Sequence, residues 1–132
     1  MSGGPSTQPA LSFELRLPGH SLAPALARAC VDGLAGVCAP ERLAAARLIV
    51  SELVTNAVIH ASKGLPQSVV VELSAGEAGI AGVVRDEGPP FEARAELPDR
   101  GSIGGFGLHI VDRTATEWGI THQVGNAVWF KV

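Results

Sequence analysis

The segment ARLIVSELVTNAVIHAS sets Glu52, Asn56 and His60 four residues apart inside an otherwise apolar run, and this constrains the fold more than any other feature. At about 3.6 residues per turn the three side chains lie on one slowly drifting stripe of a helix. The segment is therefore a core helix with one polar edge. Burying a carboxylate and a carboxamide without partners is costly, so a bound ion or polar ligand accounts for the stripe. A carboxylate beside a carboxamide offers the oxygen ligands that Mg²⁺ prefers. The same spacing also fits a solvated helix edge ending in a histidine favoured by the helix dipole, and at this level both readings stand.

This helix begins near Pro40-Glu41, where a proline's missing N–H does no harm. It runs to about Ser62, with Gly64 as the C-terminal cap. Leu43, Ala46, Val50, Leu53, Val54, Ala57 and Val58 make its apolar face. Ahead of it, Leu11 to Leu17 alternates apolar and polar residues, as a strand with one buried face does. Pro18-Gly19 turns the chain, and Ser21 is the expected N-cap of a helix to about Gly36. The expected inner stripe of that helix is Leu22, Leu26, Ala29, Cys30 and Leu34, with Pro24 tolerated in the first turn. Downstream, Ser68 to Ser74 and Gly79 to Asp86 form a predicted hairpin across Ala75-Gly76-Glu77-Ala78. Residues 87–103 have the Gly, Pro and charge content of an irregular loop. A helix over about Gly105 to Ala115 and strands near Glu117 to Val124 and Ala127 to Val132, turned at Gly125-Asn126, close the chain. The predicted order is β-α-α-β-β-loop-α-β-β. This is an α+β two-layer sandwich, with helices on one face of a mixed, mainly antiparallel sheet.

The whole chain bounds the function. Its 132 residues suit one domain, here 11–132 after a flexible leader at 1–10. Hydrophobic residues at 46% against 17% charged exclude a disordered regulator. A net charge of −3 gives no electrostatic footprint for nucleic acid. Cys30 and Cys38 match no disulfide framework or zinc spacing and read as small hydrophobes in a reducing compartment. With neither a spanning apolar run nor a signal peptide, a soluble cytoplasmic protein without membrane contact is expected.

Two further segments can carry chemistry. Asp86 ends a strand and is followed by Glu87-Gly88. A carboxylate only accepts hydrogen bonds, so it can read an exocyclic amine such as adenine's, and Gly88 lets a base approach the backbone. The alternative is an Asx-type turn closing the strand. Then Gly101-Ser102-Ile103-Gly104-Gly105-Phe106-Gly107-Leu108 runs from a glycine-rich loop into a helix, whose N-terminal N–H groups attract phosphate. A purely structural glycine cluster is the rival explanation. A polar stripe for metal, an acid for a base and a glycine loop for phosphates, in that order, together assemble a nucleotide site.

That order resembles the GHKL superfamily, which includes gyrase-type ATPases, heat-shock chaperones and histidine-kinase catalytic domains. Glu52-Leu53-Val54-Thr55-Asn56-Ala57-Val58-Ile59-His60 is similar to its asparagine box, Asp86-Glu87-Gly88 to its first glycine box and Gly105-Phe106-Gly107-Leu108 to its second. Ala27-Arg28, the Ser-Glu-Leu-Val-Thr-Asn-Ala run and Trp118-Gly119 with Val128-Trp129-Phe130 are most similar to the stand-alone anti-sigma-factor serine kinases of bacteria.

The resemblance implies a Bergerat fold with ATP and Mg²⁺ as cofactors. By it Asn56 binds Mg²⁺, Glu52 is the general base, Asp86 contacts the adenine amine and Gly88 lines the base pocket. His60, Gly104, Gly105, Phe106, Gly107 and Leu108 belong to the nucleotide site, the glycines bounding a phosphate lid. It further implies a serine/threonine kinase acting on a STAS-type anti-sigma-factor antagonist, binding of a sigma factor, and a homodimer through the first strand and helix. One departure stands out: Pro90, after Pro89, replaces the second glycine of the first box. Proline lacks an N–H and fixes its own dihedral, so the loop leaves the base pocket stiffly. That favours the alternative of an ATP-binding module without turnover. A detached histidine-kinase catalytic domain is the remaining reading.

Overall fold

Alternating apolar and polar residues produce strands that each bury one side. The computed structural model describes residues 11–61, 68–86, 106–121 and 126–132. Within them, β1 (Leu11–Pro18), β2 (Ser68–Gly76), β3 (Gly79–Asp86), β4 (Glu117–Thr121) and β5 (Asn126–Lys131) form one sheet. Its strand order is β1-β2-β3-β5-β4, and every pairing is antiparallel. The expected mixed character is absent: no two described strands run parallel. The helices are α1 (Ala23–Asp32), α2 (Pro40–Ala61) and α3 (Phe106–Thr114). Element order and α+β sandwich architecture agree with the sequence reading. No helix of the described residues is long and apolar enough to cross a membrane.

Register fixes which side chains meet the helices. Leu15, Val71, Val84 and Val128 are aligned across four strands, as are Phe13, Leu73, Gly82 and Phe130. These rows join Ile49, Val50, Leu53, Val54 and Ala57 of α2 and Leu108 and Val111 of α3 in one core. The offset rows, Arg16-Val70-Arg85-Ala127 and Glu14-Glu72-Val83-Trp129, lie on the other face. The β2–β3 turn is tighter than predicted. β2 extends to Gly76, which pairs with Gly79, leaving Glu77-Ala78 between them. Gly79 takes a φ of 117° there, a conformation glycine adopts without strain.

The first helix corrects the sequence reading. Its buried residues are Ala23, Ala27 and Val31, with Leu34 just beyond. Of the expected stripe only Leu34 is fully buried and Cys30 half-buried, while Leu22 and Leu26 are 62% and 43% exposed and Ala29 is exposed as well. Both sets repeat with helical period, so periodicity could not choose between them. Small alanines let α1 approach α2 closely, and that packing selects the alanine face. Ser21 is not the N-cap. Leu22 holds that position without a side-chain cap, and His20 serves instead. Its Nδ1 accepts the Leu22 N–H at 3.2 Å and its carbonyl accepts the Ala23 N–H. The helix ends at Asp32, tightening into i→i+3 bonds through Val37 rather than continuing to Gly36. Cys30 and Cys38 are free and half-buried. Burial pushes the Cys30 thiol up, in keeping with a packing role.

Candidate functional site

The site lies at one end of the sheet, between α2 and α3. Asp86 is the last residue of β3 and Asn126 the first of β5, and the register sets them directly opposite. Both belong to the helix-facing rows and are 3% and 1% exposed, the buried polar side chains among the described residues. Asn126 Nδ2 donates to Asp86 Oδ1 at 3.1 Å. The sequence predicts a strand ending at Asp86, as observed, and a turn that includes Asn126. In the structure Asn126 pairs within the sheet and becomes a site residue. No signal in the sequence links two residues forty positions apart; only the β3–β5 register does.

Asp86 and Asn126 form the polar floor of a pocket whose walls are Leu53, Asn56, Ala57, Val84, Leu108 and Val128. The structure thus brings together Asn56 from α2, Asp86 from β3 and Leu108 from α3. The enclosed space is only about 10 Å³, room for about one water. Seating a planar base requires its apolar walls to part. Glu52, one turn before Asn56, is half-buried and does not line this floor. It sits one turn farther along the same helix. Arg28 Nη1 donates to Ser51 Oγ at 2.9 Å, tying α1 to the turn of α2 that carries Glu52.

The chemistry of this floor fits a purine nucleotide. An apolar slot with an acceptor at its base suits a flat ring bearing an amine. Among the described residues no three His, Cys, Asp or Glu side chains gather to hold a metal. A Mg²⁺ bound with a nucleotide would need only one or two protein oxygens beside substrate phosphates and water. Asn56 and Glu52 are the oxygen donors along this edge. His60 continues α2 and Phe106-Gly107 open α3; their side chains lie outside the described residues, as do Gly88, Gly104 and Gly105. His109, in the first turns of α3, has a buried Nδ1 without a hydrogen-bond partner among the described residues, but it does not line this pocket.

A larger groove, about 490 Å³, crosses the helix-free face and is lined by Glu14, Glu72, Val83, Trp129 and Lys131, among others. It contains no fully buried acid or amide. Volume would select that groove, whereas chemistry selects the small pocket.

The comparisons with known proteins agree with the chemistry. The histidine kinase-like ATPase domain family matches residues 21–132, from just before α1 to the last residue, and so spans every element of the pocket. A comparison with curated proteins found no significant match. The chain belongs to the histidine kinase-like ATPase domain family.

Proposed function

We propose that the protein is a Mg²⁺-ATP-dependent serine/threonine protein kinase that restrains a sigma factor by phosphorylating a small antagonist protein. The observation that carries the nucleotide part is the buried Asp86 carboxylate, held by Asn126 at the floor of an apolar pocket. Family membership implies ATP binding, and Asp86 accepts the hydrogen bond of the adenine amine. Asn56, on the wall of the same pocket, offers its amide oxygen to the metal. Bound Mg²⁺-ATP supplies the phosphoryl group, and its metal offsets the charge on the phosphates. Glu52 takes the proton of the incoming serine hydroxyl as that oxygen bonds to the γ-phosphorus and the ADP oxygen leaves. The kinase and sigma-factor parts rest on the resemblance of Ala27-Arg28, the Ser-Glu-Leu-Val-Thr-Asn-Ala run and Trp118-Gly119 with Val128-Trp129-Phe130 to anti-sigma-factor kinases. A second copy would have the exposed Leu22 and Leu26 of α1 beside edge strand β1 as its contact, which a molar mass by light scattering tests.

The test is phosphate transfer from labelled ATP to purified STAS-type antagonists. Wild type is expected to label the antagonist, and Glu52→Ala to lower the rate by about a hundredfold or more. Equal transfer by both would remove Glu52 as the base. Calorimetric ATP binding without transfer to any antagonist would instead favour the non-catalytic module suggested by Pro89-Pro90.

A further inference from the structure

We infer that Asn126 is a positioning residue that sets base selectivity by holding Asp86 as a hydrogen-bond acceptor; this rests on the nucleotide reading above. An amide N–H only donates, so the oxygen it meets must accept. With Asn126 Nδ2 on Asp86 Oδ1 at 3.1 Å, the pair is satisfied when Asp86 presents acceptors. Such a floor takes the N–H of a 6-aminopurine and rejects the carbonyl of a 6-oxopurine, which would bring acceptor against acceptor. A carboxyl turned over, or carrying a proton, loses that distinction.

Three features make this more than a hydrogen bond at the end of a sheet. Asn126 lines the same pocket as Asp86. It lies on a rigid ladder rather than a loop, because Asp86↔Asn126 follows Arg85↔Ala127 and Val84↔Val128 in register. Leu53, Ala57, Val84, Leu108 and Val128 surround the pair with apolar groups, where an electrostatic preference is little screened. One oxygen of the carboxylate is thus held from a neighbouring strand.

Calorimetric dissociation constants for ATP and for inosine triphosphate, whose base differs by a 6-oxo group, test the inference. Wild type is expected to prefer ATP, and Asp86→Asn to lose most of that preference. Asn126→Ala and the isosteric Asn126→Asp are expected to lower the ATP-to-ITP affinity ratio by about tenfold or more. The ratio is read because partial unfolding weakens both nucleotides by the same factor. If both Asn126 variants keep the wild-type ratio while Asp86→Asn loses it, Asn126 is structural only and the inference falls. If wild type binds neither nucleotide, or Asp86→Asn leaves the ratio unchanged, the nucleotide reading fails and takes the inference with it.

Discussion

The two faces of the sheet bury similar residue types to different ends. On the helix-covered face Phe130 is 1% exposed and closes over Gly82. On the other face its sequence neighbour Trp129 lies half-buried over Gly119 of the edge strand. In each case an aromatic ring occupies the space a glycine leaves, but only the first is locked from above by helices. The charged groups differ likewise. Asp86 is buried and held by an amide, while Glu72 is half-exposed and meets Arg85 at 3.5 Å. A sheet face becomes a site where surrounding packing prevents water from answering its polar groups. Where water can answer them, the same groups give solubility.

The largest expected effect that tests this contrast is on the two aromatic residues. Phe130→Ala should cost about 3–5 kcal/mol in urea unfolding, and Trp129→Ala clearly less, since part of its surface already meets water. Equal losses would mean that the helix-free face is as tightly packed as the core. The glycines give a sharper version with one chemical change. A Cβ at Gly82 would meet the Phe130 ring at 2.5 Å and Leu73 Cδ2 at 3.0 Å, and neither can retreat, so Gly82→Ala should cost about 2–3 kcal/mol. At Gly119 a Cβ would meet the Trp129 indole at 2.6 Å, but that ring can swing outward. Gly119→Ala should therefore cost less than about 1 kcal/mol. The reverse order would overturn the comparison.

Function separates the faces further. Asp86→Asn should weaken ATP binding at least tenfold while retaining the fold, because an amide at that position no longer offers only acceptors. Calorimetry beside circular dichroism reads both outcomes. The smallest effect belongs to Glu72→Gln. It removes a half-exposed ion pair, worth about 0–1 kcal/mol, and also relieves the direct cross-strand opposition of Glu14 and Glu72. The net change in stability should lie within about 0.5 kcal/mol. A loss of ATP affinity in this variant would show that the open face communicates with the pocket.

Much of this was legible because local rules were strong. The α2 pattern of apolar positions, with a proline at its start, gave the central helix almost to the residue. The alternation at 11–17, 68–74 and 79–86 gave three strands for the same reason. The face of α1 was misread because Leu22-Leu26 and Ala23-Ala27 repeat with the same period. The start of β5 differs by one residue because Gly125-Asn126 has the composition of a turn. Of the site, Asn56 and Asp86 were readable from residue chemistry and motif order, and both reach the pocket. Asn126 was not, since nothing adjacent to it in sequence marks it as facing Asp86.

The sequence by itself determined the element order, the central helix with its polar edge and the acid at the end of β3. Those follow from periodicity, capping and residue chemistry, which act over a few neighbouring residues. Only the tertiary structure decided which face of α1 turns inward, which sheet face is covered and that Asn126 holds Asp86. Those depend on register between strands distant in sequence and on how closely helices can approach, and both are settled by packing the whole chain at once.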